Sequence, residues 1–411
     1  MKILFLTMSV GIRNIDTNGI YTDLMRKFRN EGNDVYIIYP LERKLGLKTE
    51  LVTDNNLHLL GVRTLNLTKT NVVEKGIGQV SIEFLYKRAI KKYFEGVSFD
   101  LILYTTPPIT FSKVIEITKR NNSFAKTYLL LKDIFPQNAV DMGMLSKTGV
   151  KSILYKFFRA KEKKLYALSD FIGCMSPANV EYVLKHNPEI ESYRVELAPN
   201  SLELDELAQD SRLKIKDINT EYLPTSLVKS FNDGKPVFIY GGNLGVPQGI
   251  PFLIECLEAN ADREDCHFVV VGSGTYYQKL VKWHETRHPK AVSVMSSLPK
   301  EDYDRLVQVC HVGLIFLDYR FTIPNFPSRL LSYLKYKIPI IACTDPNCDT
   351  GSIAEKNGFG IYAPSNSVHA FTEAVDKMLA SDIKAMGEKG FQFLKDNYLI
   401  EHTYNQIMKH F

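Results

Sequence analysis

The residues best suited to bind an anion lie in residues 322–339, which read TIPNFPSRLLSYLKYKIP. Asn325, Pro327 and Ser328 are typical of a loop that leads into a helix, and the helix would end before the last proline of the stretch. The unpaired N–H groups at its start, the positive end of its dipole and the side chain of Arg329 would attract a negatively charged group. The alternative is a core helix that carries a surface arginine.

Glycine occurs at three other corners where a buried strand would turn into a helix. The residues at these corners are Asn18 and Gly19 in the first half, and Gly242, Asn243, Gln248, Gly272, Gly274 and Thr275 in the second half. Glycine lets backbone N–H groups approach a phosphate without a Cβ in the way, although many such corners carry glycine for geometric reasons alone. Together with residues 322–339, the second half has three candidate corners, which favours a nucleotide diphosphate site.

A charged pair, Lys132 and Asp133, stands at the end of another buried run in the first half. In open parallel sheets, ligands bind beyond the carboxyl ends of the strands, so Asp133 is well placed for polar interactions with a ligand in a cleft. The alternative is that its carboxylate caps the next turn.

The chain alternates apolar runs of strand length with helical segments, and it does so twice. Such runs, buried on both faces, predict parallel sheets in an α/β layer structure. We therefore predict two doubly wound, Rossmann-like domains that face each other across a cleft, with boundaries at 1–199 and 200–394. A final helix, at about 395–411 within the helical segment 382–411, would pack back onto the first domain.

Charge is distributed unevenly along the 411 residues. Residues 1–200 contain 29 Lys and Arg against 20 Asp and Glu, whereas the remainder contains 22 against 26. Only the first half is therefore expected to meet an anionic surface. The six scattered cysteines form no CxxC pair, and the HExxH pattern that begins at His284 is followed at once by proline. We predict no metal site and no cofactor.

The order of these motifs resembles that of family 4 retaining glycosyltransferases, which have the GT-B fold. The similarity is strongest to the bacterial subgroup that builds surface polysaccharides. Residues 133–137 resemble a DLWPE-like stretch of that subgroup, and residues 242–249 resemble its GNIG-x-x-QG corner. The resemblance implies a nucleotide-sugar site in the second domain and a glycosyltransferase of class EC 2.4.

The chain departs from the pattern of that family at the charged positions. The two glutamates of many relatives fall on Pro324 and Ser332, and their diphosphate-binding Arg/Lys pair falls on Asn243 and Gln248. Arg329 is then the cation left for the phosphates. Ser332 would bind a ribose hydroxyl more weakly than a carboxylate does, because hydrogen bonds to charged groups are stronger.

The resemblance implies a front-face transfer in which the leaving diphosphate helps to accept the proton of the incoming hydroxyl. No protein nucleophile or metal is then required, and the protein supplies positioning and electrostatic stabilisation. We expect Arg329 to stabilise the departing diphosphate and Asp133 to orient the sugar or the acceptor hydroxyl. The expected donor is a UDP-sugar with an N-acetylated or 6-deoxy amino sugar.

Two basic segments of the first half suit a membrane surface. Aromatic and aliphatic residues interrupt a series of cations: Lys87, Arg88, Lys91, Lys92, Lys151, Lys156 and Arg159. Such segments lie on anionic bilayers, although a solvated helix with its aromatics in the core fits equally well. The resemblance implies a polyprenyl-diphosphate-linked glycan as acceptor, in capsule or O-antigen-type synthesis on the cytoplasmic face of the cell membrane. The acidic second half argues against nucleic acid.

Two other functions stay open on the same fold. A nucleotide-sugar 2-epimerase would need carboxylates and a histidine in the cleft, and no histidine follows a predicted strand. A partner subunit that binds nucleotide-sugars without catalysis would fit the two missing glutamates. Binding of UDP separates this last alternative from an active transferase.

Overall fold

The structure is a computed structural model that describes residues 1–68, 70, 72–204 and 213–411. Its internal contacts divide the chain into two units. The first unit contains Met1–Glu203 and Leu399–Phe411, and the second contains Leu204–Tyr398. Each unit is an α/β layer structure around its own sheet. The predicted class, two domains with parallel sheets, is confirmed.

The described part of the first unit forms an eight-stranded sheet. Its strands are β1 (Lys2–Leu6), β2 (Asp34–Glu42), β3 (Glu50–Asp54), β4 (Leu57–Thr64), β5 (Leu101–Thr105), β6 (Lys126–Leu131), β7 (Phe171–Cys174) and β8 (Val195–Leu197). Their spatial order is β3-β4-β2-β1-β5-β6-β7-β8, and the pairs are parallel except that β3 runs antiparallel to β4. β3 and β4 were not predicted, because β3 is a mostly exposed polar edge strand and β4 is interrupted by His58 and Gly61.

Helices connect these strands and cover both faces of the sheet. They are α1 (Ile20–Asn30), α2 (Val72–Tyr93), α3 (Ser112–Asn121), α4 (Gln137–Asp141), α5 (Lys151–Leu168) and α6 (Pro177–His186). The strands are buried on both faces, as their apolar runs predict, and the side chains of β1, β2 and β5 form the centre of the core.

The second unit is built around a wholly parallel sheet, six-stranded over the described residues. Its strands are β9 (Val237–Asn243), β10 (His267–Ser273), β11 (Val292–Ser296), β12 (Val312–Phe316), β13 (Ile340–Thr344) and β14 (Gly360–Pro364). Their order is β11-β10-β9-β12-β13-β14, so the direction of winding reverses between β9 and β12. In a doubly wound sheet, this reversal opens a crevice at the carboxyl ends of the two strands.

The helices of the second unit alternate with its strands. They are α7 (Thr225–Asn232), α8 (Ile250–Ala259), α9 (Tyr277–Arg287), α10 (Lys300–Val309), α11 (Arg329–Lys335), α12 (Thr350–Lys356), α13 (Val368–Leu379) and α14 (Ile383–Asn397). All six cysteines of the chain are buried and free within the described residues, as expected of small core side chains.

The predicted final helix is two helices. α14 ends at Asn397 in the second unit, and a further helix, α15 (Ile400–Met408), belongs to the first unit. The backbone N–H of Ile400 donates to the carbonyl of Leu202, and the hydroxyl of Thr403 donates to the carbonyl of Pro199. These two bonds form after the break that follows α14, and a helical periodicity read along the sequence does not show that break.

Tyr333 of α11 lies fully buried against Gly313 of β12. Its hydroxyl donates to the carbonyl of Ile239, 3.1 Å away, so α11 is fixed to the strands at the switch point. A Cβ on Gly313 would overlap the ring of Tyr333. Glycine at this position therefore lets α11 approach the sheet.

We expect Gly313→Ala to destabilise the protein by about 1–3 kcal/mol, because an added methyl group overpacks a filled core. The measurement is the midpoint of chemical denaturation. Gly76→Ala is the matched control: it adds the same methyl group in helix α2, where nothing lies within 4 Å of the new Cβ. That control should be neutral or stabilising by up to about 1 kcal/mol. Equal midpoints for the two variants would contradict the packing argument.

Candidate functional site

The guanidinium of Arg329 lies at the carboxyl end of β9. A Cβ built on Gly242 would be 3.6 Å from Nη2 of Arg329. The carbon at the centre of the guanidinium, Cζ, is 4.5 Å from the centroid of the Tyr240 ring, which gives a cation–π contact. The structure thus brings together Arg329 and the first glycine corner of the second half, which the sequence places 87 positions apart.

One nitrogen of that guanidinium, Nη1, is buried and has no hydrogen-bond partner among the residues that the structure describes. Burial lowers the pKa of Arg329, but the neighbouring hydroxyls of Tyr240 and Tyr333 outweigh it, so the pKa is raised. The side chain therefore stays charged. A buried guanidinium nitrogen without an acceptor is costly in a folded protein, and an incoming anion would relieve that cost.

The glycine corners of the second unit are held against one another. A Cβ on Gly272 would overlap the carbonyl oxygen of Gly242, and one on Gly274 would press against the backbone of Leu244. Leu244 donates its N–H to Ser273, and its carbonyl accepts from the N–H of Tyr276. Gly272 and Gly274 therefore shape the Gly242 loop through backbone packing, while Thr275 is exposed beside them.

Asn243 and Gln248 bind each other, with 2.7 Å between Asn243 Nδ2 and Gln248 Oε1. These are the two positions at which the resemblance expects a cationic pair. Gly249 follows with a φ of 58°, a conformation that favours glycine, and it is the N-cap of α8. The loop is therefore closed by a neutral pair, and Arg329 carries the positive charge next to it.

The helix of the opening stretch is shorter than predicted. α11 has seven residues and ends at Lys335, whereas the sequence predicts a helix up to the proline at 339. Lys337 has a φ of 56°, which breaks the helical path. Ser328 precedes the helix without a side-chain capping bond, and Ser332 is half-buried. Because a two-turn helix has a small dipole, Arg329 supplies most of the positive potential.

The loop before α11 carries a second polar group without a partner. Nδ2 of Asn325 is buried and makes no hydrogen bond within the described ranges, while its carbonyl accepts a bond from Cys348 Sγ at 3.0 Å. Pro327 follows, and its carbonyl accepts from the N–H of Leu330 in the first turn of α11.

Asp345, which was not predicted, lies at the carboxyl end of β13. It is fully buried, and its Oδ1 accepts the N–H groups of Asn347 and Cys348 at 2.9 and 3.1 Å. Oδ2 has no partner among the described residues, and burial raises the pKa of Asp345 to about 6. An aspartate directly after a buried apolar run was the signal that pointed to Asp133, and it would have found Asp345 too.

Asp133 lies at the carboxyl end of β6 in the first unit. Its Oδ1 accepts a hydrogen bond from Asn138 Nδ2 at 2.7 Å, and burial raises its pKa to about 6. Desolvation lowers the pKa of the half-buried Lys132 beside it to about 7, and its Nζ donates to the carbonyl of Ala198. Asp133 does not cap α4, whose N-cap is Pro136.

Asn18 and Gly19 belong to the first unit, whereas the other glycine corners belong to the second. The N–H of Gly19 donates to Asp23 Oδ1 at 2.9 Å, and Asn18 Oδ1 accepts from Arg26 at 3.4 Å. The carboxylate of Asp23 therefore already occupies the N–H group that was predicted to face a phosphate.

The basic residues predicted for the membrane lie on α2 and α5. At helical spacing, Lys87, Arg88 and Lys91 share one face of α2 with three exposed apolar side chains, and Lys92 lies beside that face. The exposed apolar residues of the two helices and of the residue before α5 are Ile77, Val80, Phe84, Val150, Ile153, Leu154 and Phe157. Lys151 and Lys156 flank this face on α5.

Two basic residues of α5 make contacts within the first unit. Arg159 is half-buried and binds Glu162, the carbonyl of His186 and the side chain of Asn187, so it faces the interior and not the surface. Lys161 lies 3.8 Å from Glu83 and links α5 to α2.

Neither metal-binding nor membrane-spanning features occur in the described ranges. No cluster of three or more His, Cys, Asp and Glu there has the arrangement of a metal site, and His284 lies 3.0 Å from the carbonyl of Val292. No described helix combines the length and the hydropathy needed to cross a bilayer.

Solved structures that are similar over the whole chain include glycosyltransferases of the GT-B type. Sucrose-phosphate synthase from Thermosynechococcus elongatus superposes with a TM-score of 0.72 at 13% identity, over 100% of this chain and 98% of that one. HepE from Anabaena, solved in complex with UDP, gives 0.66 at 12% identity, over 100% and 99%. The predicted GT-B fold is confirmed.

Sequence comparison agrees with the fold. Residues 226–392 match the family described as glycosyl transferases group 1. The chain is also 21% identical over 397 residues to a probable glycosyltransferase, WbjE, of Pseudomonas aeruginosa, over 97% of this chain and 94% of that protein. The predicted enzyme class, a glycosyltransferase, is confirmed.

The raised pKa of Asp345 predicts how stability depends on pH. The folded state keeps the proton up to about pH 6, whereas the unfolded chain loses it near the ordinary value of 3.8. Stability should therefore fall as pH rises from about 4 to about 6. Asp345→Asn should remove that loss and stabilise the protein at neutral pH by up to about 3 kcal/mol.

The measurement is the thermal unfolding midpoint of Asp345→Asn and the natural chain on both sides of that pH window. The matched control is Asp382→Asn, at the N-cap of α14, where an amide can still accept the hydrogen bond from Ala385. If the difference in unfolding midpoint between the natural chain and Asp345→Asn did not change with pH, the raised pKa of Asp345 would be contradicted.

Proposed function

We propose that the chain is a family 4 retaining glycosyltransferase that moves a sugar from UDP to a polyprenyl-diphosphate-linked glycan. The observation that carries the proposal is the buried Nη1 of Arg329, which has no hydrogen-bond partner among the described residues. The guanidinium lies beside Gly242. A diphosphate has the charge and the acceptor oxygens to bind such a guanidinium, and arginine offers several donors at once. The site also lies at the switch point of a doubly wound sheet, where nucleotides bind.

The surroundings of Arg329 suit a role in the transition state. The ring of Tyr240 fixes the guanidinium from one side, so little reorganisation is needed when negative charge builds up on the leaving diphosphate. Preorganised donors of this kind stabilise the transition state more than the ground state. In the proposed transfer, the leaving diphosphate takes the proton of the acceptor hydroxyl, so a protein nucleophile and a metal ion are both unnecessary.

The remaining donor contacts are proposed from the same loop and helix. The orphaned Nδ2 of Asn325 offers a donor for a sugar or phosphate oxygen. Ser332 would bind a ribose hydroxyl in place of a carboxylate. Asp133, in the first unit, is proposed to hold the acceptor hydroxyl, since its Oδ1 is already fixed by Asn138. The donor is proposed to carry an N-acetylated or 6-deoxy amino sugar.

The acceptor is proposed to reach the enzyme from an anionic membrane on the cytoplasmic face of the cell, in capsule or O-antigen-type synthesis. The exposed fractions of Phe84 and Ile153 are 64% and 72%, which is unusual for large apolar side chains so close to lysine. Aliphatic and aromatic side chains framed by lysines would insert at the headgroup level while the cations bind lipid phosphates.

Substitution of Arg329 tests the donor site. Arg329→Ala should weaken the binding of UDP at least about tenfold, because a charged hydrogen-bond donor contributes about 1.5–3 kcal/mol. Release of UDP from UDP-sugars in the presence of lipid acceptor should be lost. Arg329→Lys should recover part of the binding, since it keeps the charge but not the forked geometry. Isothermal titration calorimetry and a UDP-release assay measure the two effects.

The same variant separates a ligand site from a structural role. Without ligand, Arg329→Ala should unfold at about the same temperature as the natural chain, because the loss of the cation–π contact with Tyr240 is offset by the removal of a buried nitrogen that has no acceptor among the described residues. Arg287→Gln is the matched control, since Arg287 pairs with Glu258 and Asp262 at the surface. Undiminished UDP release by Arg329→Ala would contradict the assignment of Arg329 to the donor diphosphate. Lack of UDP binding by the natural chain would favour a different function.

Membrane binding is tested with vesicles of phosphatidylglycerol and, for comparison, of phosphatidylcholine. The protein should sediment with the anionic vesicles and be released by salt, which screens the lysines. Ile153→Asp with Phe157→Asp should reduce binding at least about tenfold, because each places a charge where an apolar side chain enters the bilayer.

The control for the membrane test is Phe124→Asp, which changes an aromatic residue that is 97% exposed and lies outside both helices. It should leave vesicle binding unchanged. An equal loss of vesicle binding in the control and in the α5 variant would show that any added charge weakens binding, wherever it lies. Binding to both kinds of vesicle without salt dependence would contradict the proposal that the lysines bind lipid phosphates.

A further inference from the structure

A groove of about 450 Å³ lies between the second halves of α2 and α3 in the first unit. It continues along residues 95–99, which connect α2 to β5, so it lies at the amino end of β5. Asp133 follows the carboxyl end of β6, which runs parallel to β5. The groove is therefore at the opposite end of the sheet from the proposed reaction. Its volume lies within the range of ligand pockets, about 300–1,000 Å³.

The inner wall of the groove is apolar, and its two buried polar side chains are already bonded. The hydroxyl of Thr118 donates to the carbonyl of Val114 at 2.8 Å. Asn122 Oδ1 accepts the N–H of Phe99 at 2.6 Å, and its Nδ2 donates to the carbonyl of Thr118 at 2.7 Å. The rest of the wall consists of apolar side chains: Ile90, Phe94, Val97, Phe99, Val114 and Ile117. A ligand inside the groove would therefore gain by burying hydrocarbon.

The floor of the groove is held in place by aromatic contacts. Phe94 and Phe99 are buried, and each ring meets Tyr36 of β2 edge to face, at 5.1 and 5.3 Å between centroids. Rings that pack in this way fix each other's orientation. The groove is thus formed by the core of the first unit itself, without a ligand.

Three charged side chains stand at the rim of the groove. Lys87 and Lys91 are one turn apart on α2, and Glu95 follows just after the end of that helix. All three are exposed, and none of them forms an ion pair with another residue that the structure describes. The neighbouring cations Arg88 and Lys92 do not line the groove. The rim therefore offers two cations and, beside them, one anion.

This arrangement of charge is complementary to a headgroup that carries a phosphate and an ammonium group. Two lysines one turn apart can bind the oxygens of one phosphate, and Glu95 can accept from the ammonium group. A wholly anionic headgroup would leave Glu95 without a partner. A small polar molecule would leave the apolar wall unfilled. A phospholipid with an ethanolamine headgroup satisfies both the rim and the wall.

The groove is also continuous with the face proposed to lie on the membrane. Lys87 and Lys91 share one face of α2 with the exposed Ile77, Val80 and Phe84, and Phe84 is one turn before Lys87. A lipid that leaves the bilayer beside this face would reach the groove along a single helix.

We propose that the groove binds one molecule of phospholipid of the phosphatidylethanolamine type. One acyl chain would lie between α2 and α3, the phosphate would contact Lys87 and Lys91, and the ammonium group would contact Glu95. The proposed function supplies only the membrane as the source of the lipid. The groove differs from the membrane face in its position, and it takes a single molecule in place of a surface.

The test is isothermal titration calorimetry with dihexanoyl lipids, which dissolve as monomers, and the natural chain. Dihexanoyl phosphatidylethanolamine should bind about two- to fivefold more tightly than the phosphatidylglycerol form, which has no ammonium group for Glu95. Glu95→Gln should abolish that preference. Lys87→Gln with Lys91→Gln should weaken the binding of both lipids about three- to tenfold. Lys92→Gln is the matched control, because Lys92 lies over the ring of Tyr93 and outside the groove.

Filling the groove tests the place of the acyl chain. Val97→Trp puts a large side chain into the open space and should weaken the binding of both lipids at least about tenfold, because the chain loses its apolar contacts. Its thermal unfolding midpoint is measured alongside. If that midpoint falls, Glu95→Gln decides the question, since it changes an exposed side chain and leaves the wall intact.

Two further measurements separate this proposal from the membrane face. Ile153→Asp with Phe157→Asp should keep the binding of monomeric lipid, and Val97→Trp should keep the binding of anionic vesicles. Failure of the natural chain to bind vesicles would concern the proposed function alone.

Three outcomes would overturn the lipid site. They are no binding of monomeric phosphatidylethanolamine, equal binding of the two lipids by the natural chain, and lipid binding that Val97→Trp leaves unchanged. Self-association of the natural chain that Val97→Trp abolishes, measured by analytical ultracentrifugation, would assign the groove to a second copy and overturn it as well.

Discussion

The guanidinium of Arg329 is held between the ring of Tyr240 and the edge of Gly242, with one buried nitrogen that has no partner in the described ranges. Several features of the second unit follow from this contact. Gly313 lets α11 approach the sheet closely enough to bring Arg329 to β9. Gly242 beside it has a φ of 119°, a backbone conformation that favours glycine. A nitrogen that is buried without an acceptor is a position where a ligand oxygen would be stabilising.

Most of the fold could be predicted because buried parallel strands leave a strong sequence signal. The apolar runs of β1 and β9 are unbroken, and each is followed by glycine or a helical period. β3 shows no such apolar pattern, since neither face of this exposed edge strand is buried. The break before α15 also left none, because the backbone bonds of Leu202 to Ile400 depend on residues that lie almost 200 positions apart.

The residues of the candidate site could be named from the sequence, but their contacts could not. The comparison with the family pattern leaves Arg329 as the expected cation for the phosphates, and the structure places its guanidinium beside Gly242. Sequence does not show that Gly272 and Gly274 serve the packing of one loop on another, since a glycine required by a neighbouring backbone looks the same as one required by a phosphate. Nor does it show that the N–H of Gly19 is already bonded to Asp23.

The two units solve the problem of charge in opposite ways, which bears on what each can bind. In the second unit, Nη1 of Arg329 is buried without a hydrogen-bond partner among the described residues, which suits the anion proposed to bind there. In the first unit, the half-buried Arg159 is already paired with Glu162, so its charge is satisfied within the chain. The pairing state of an arginine, more than its presence in the sequence, therefore separates a candidate anion site from a structural ion pair.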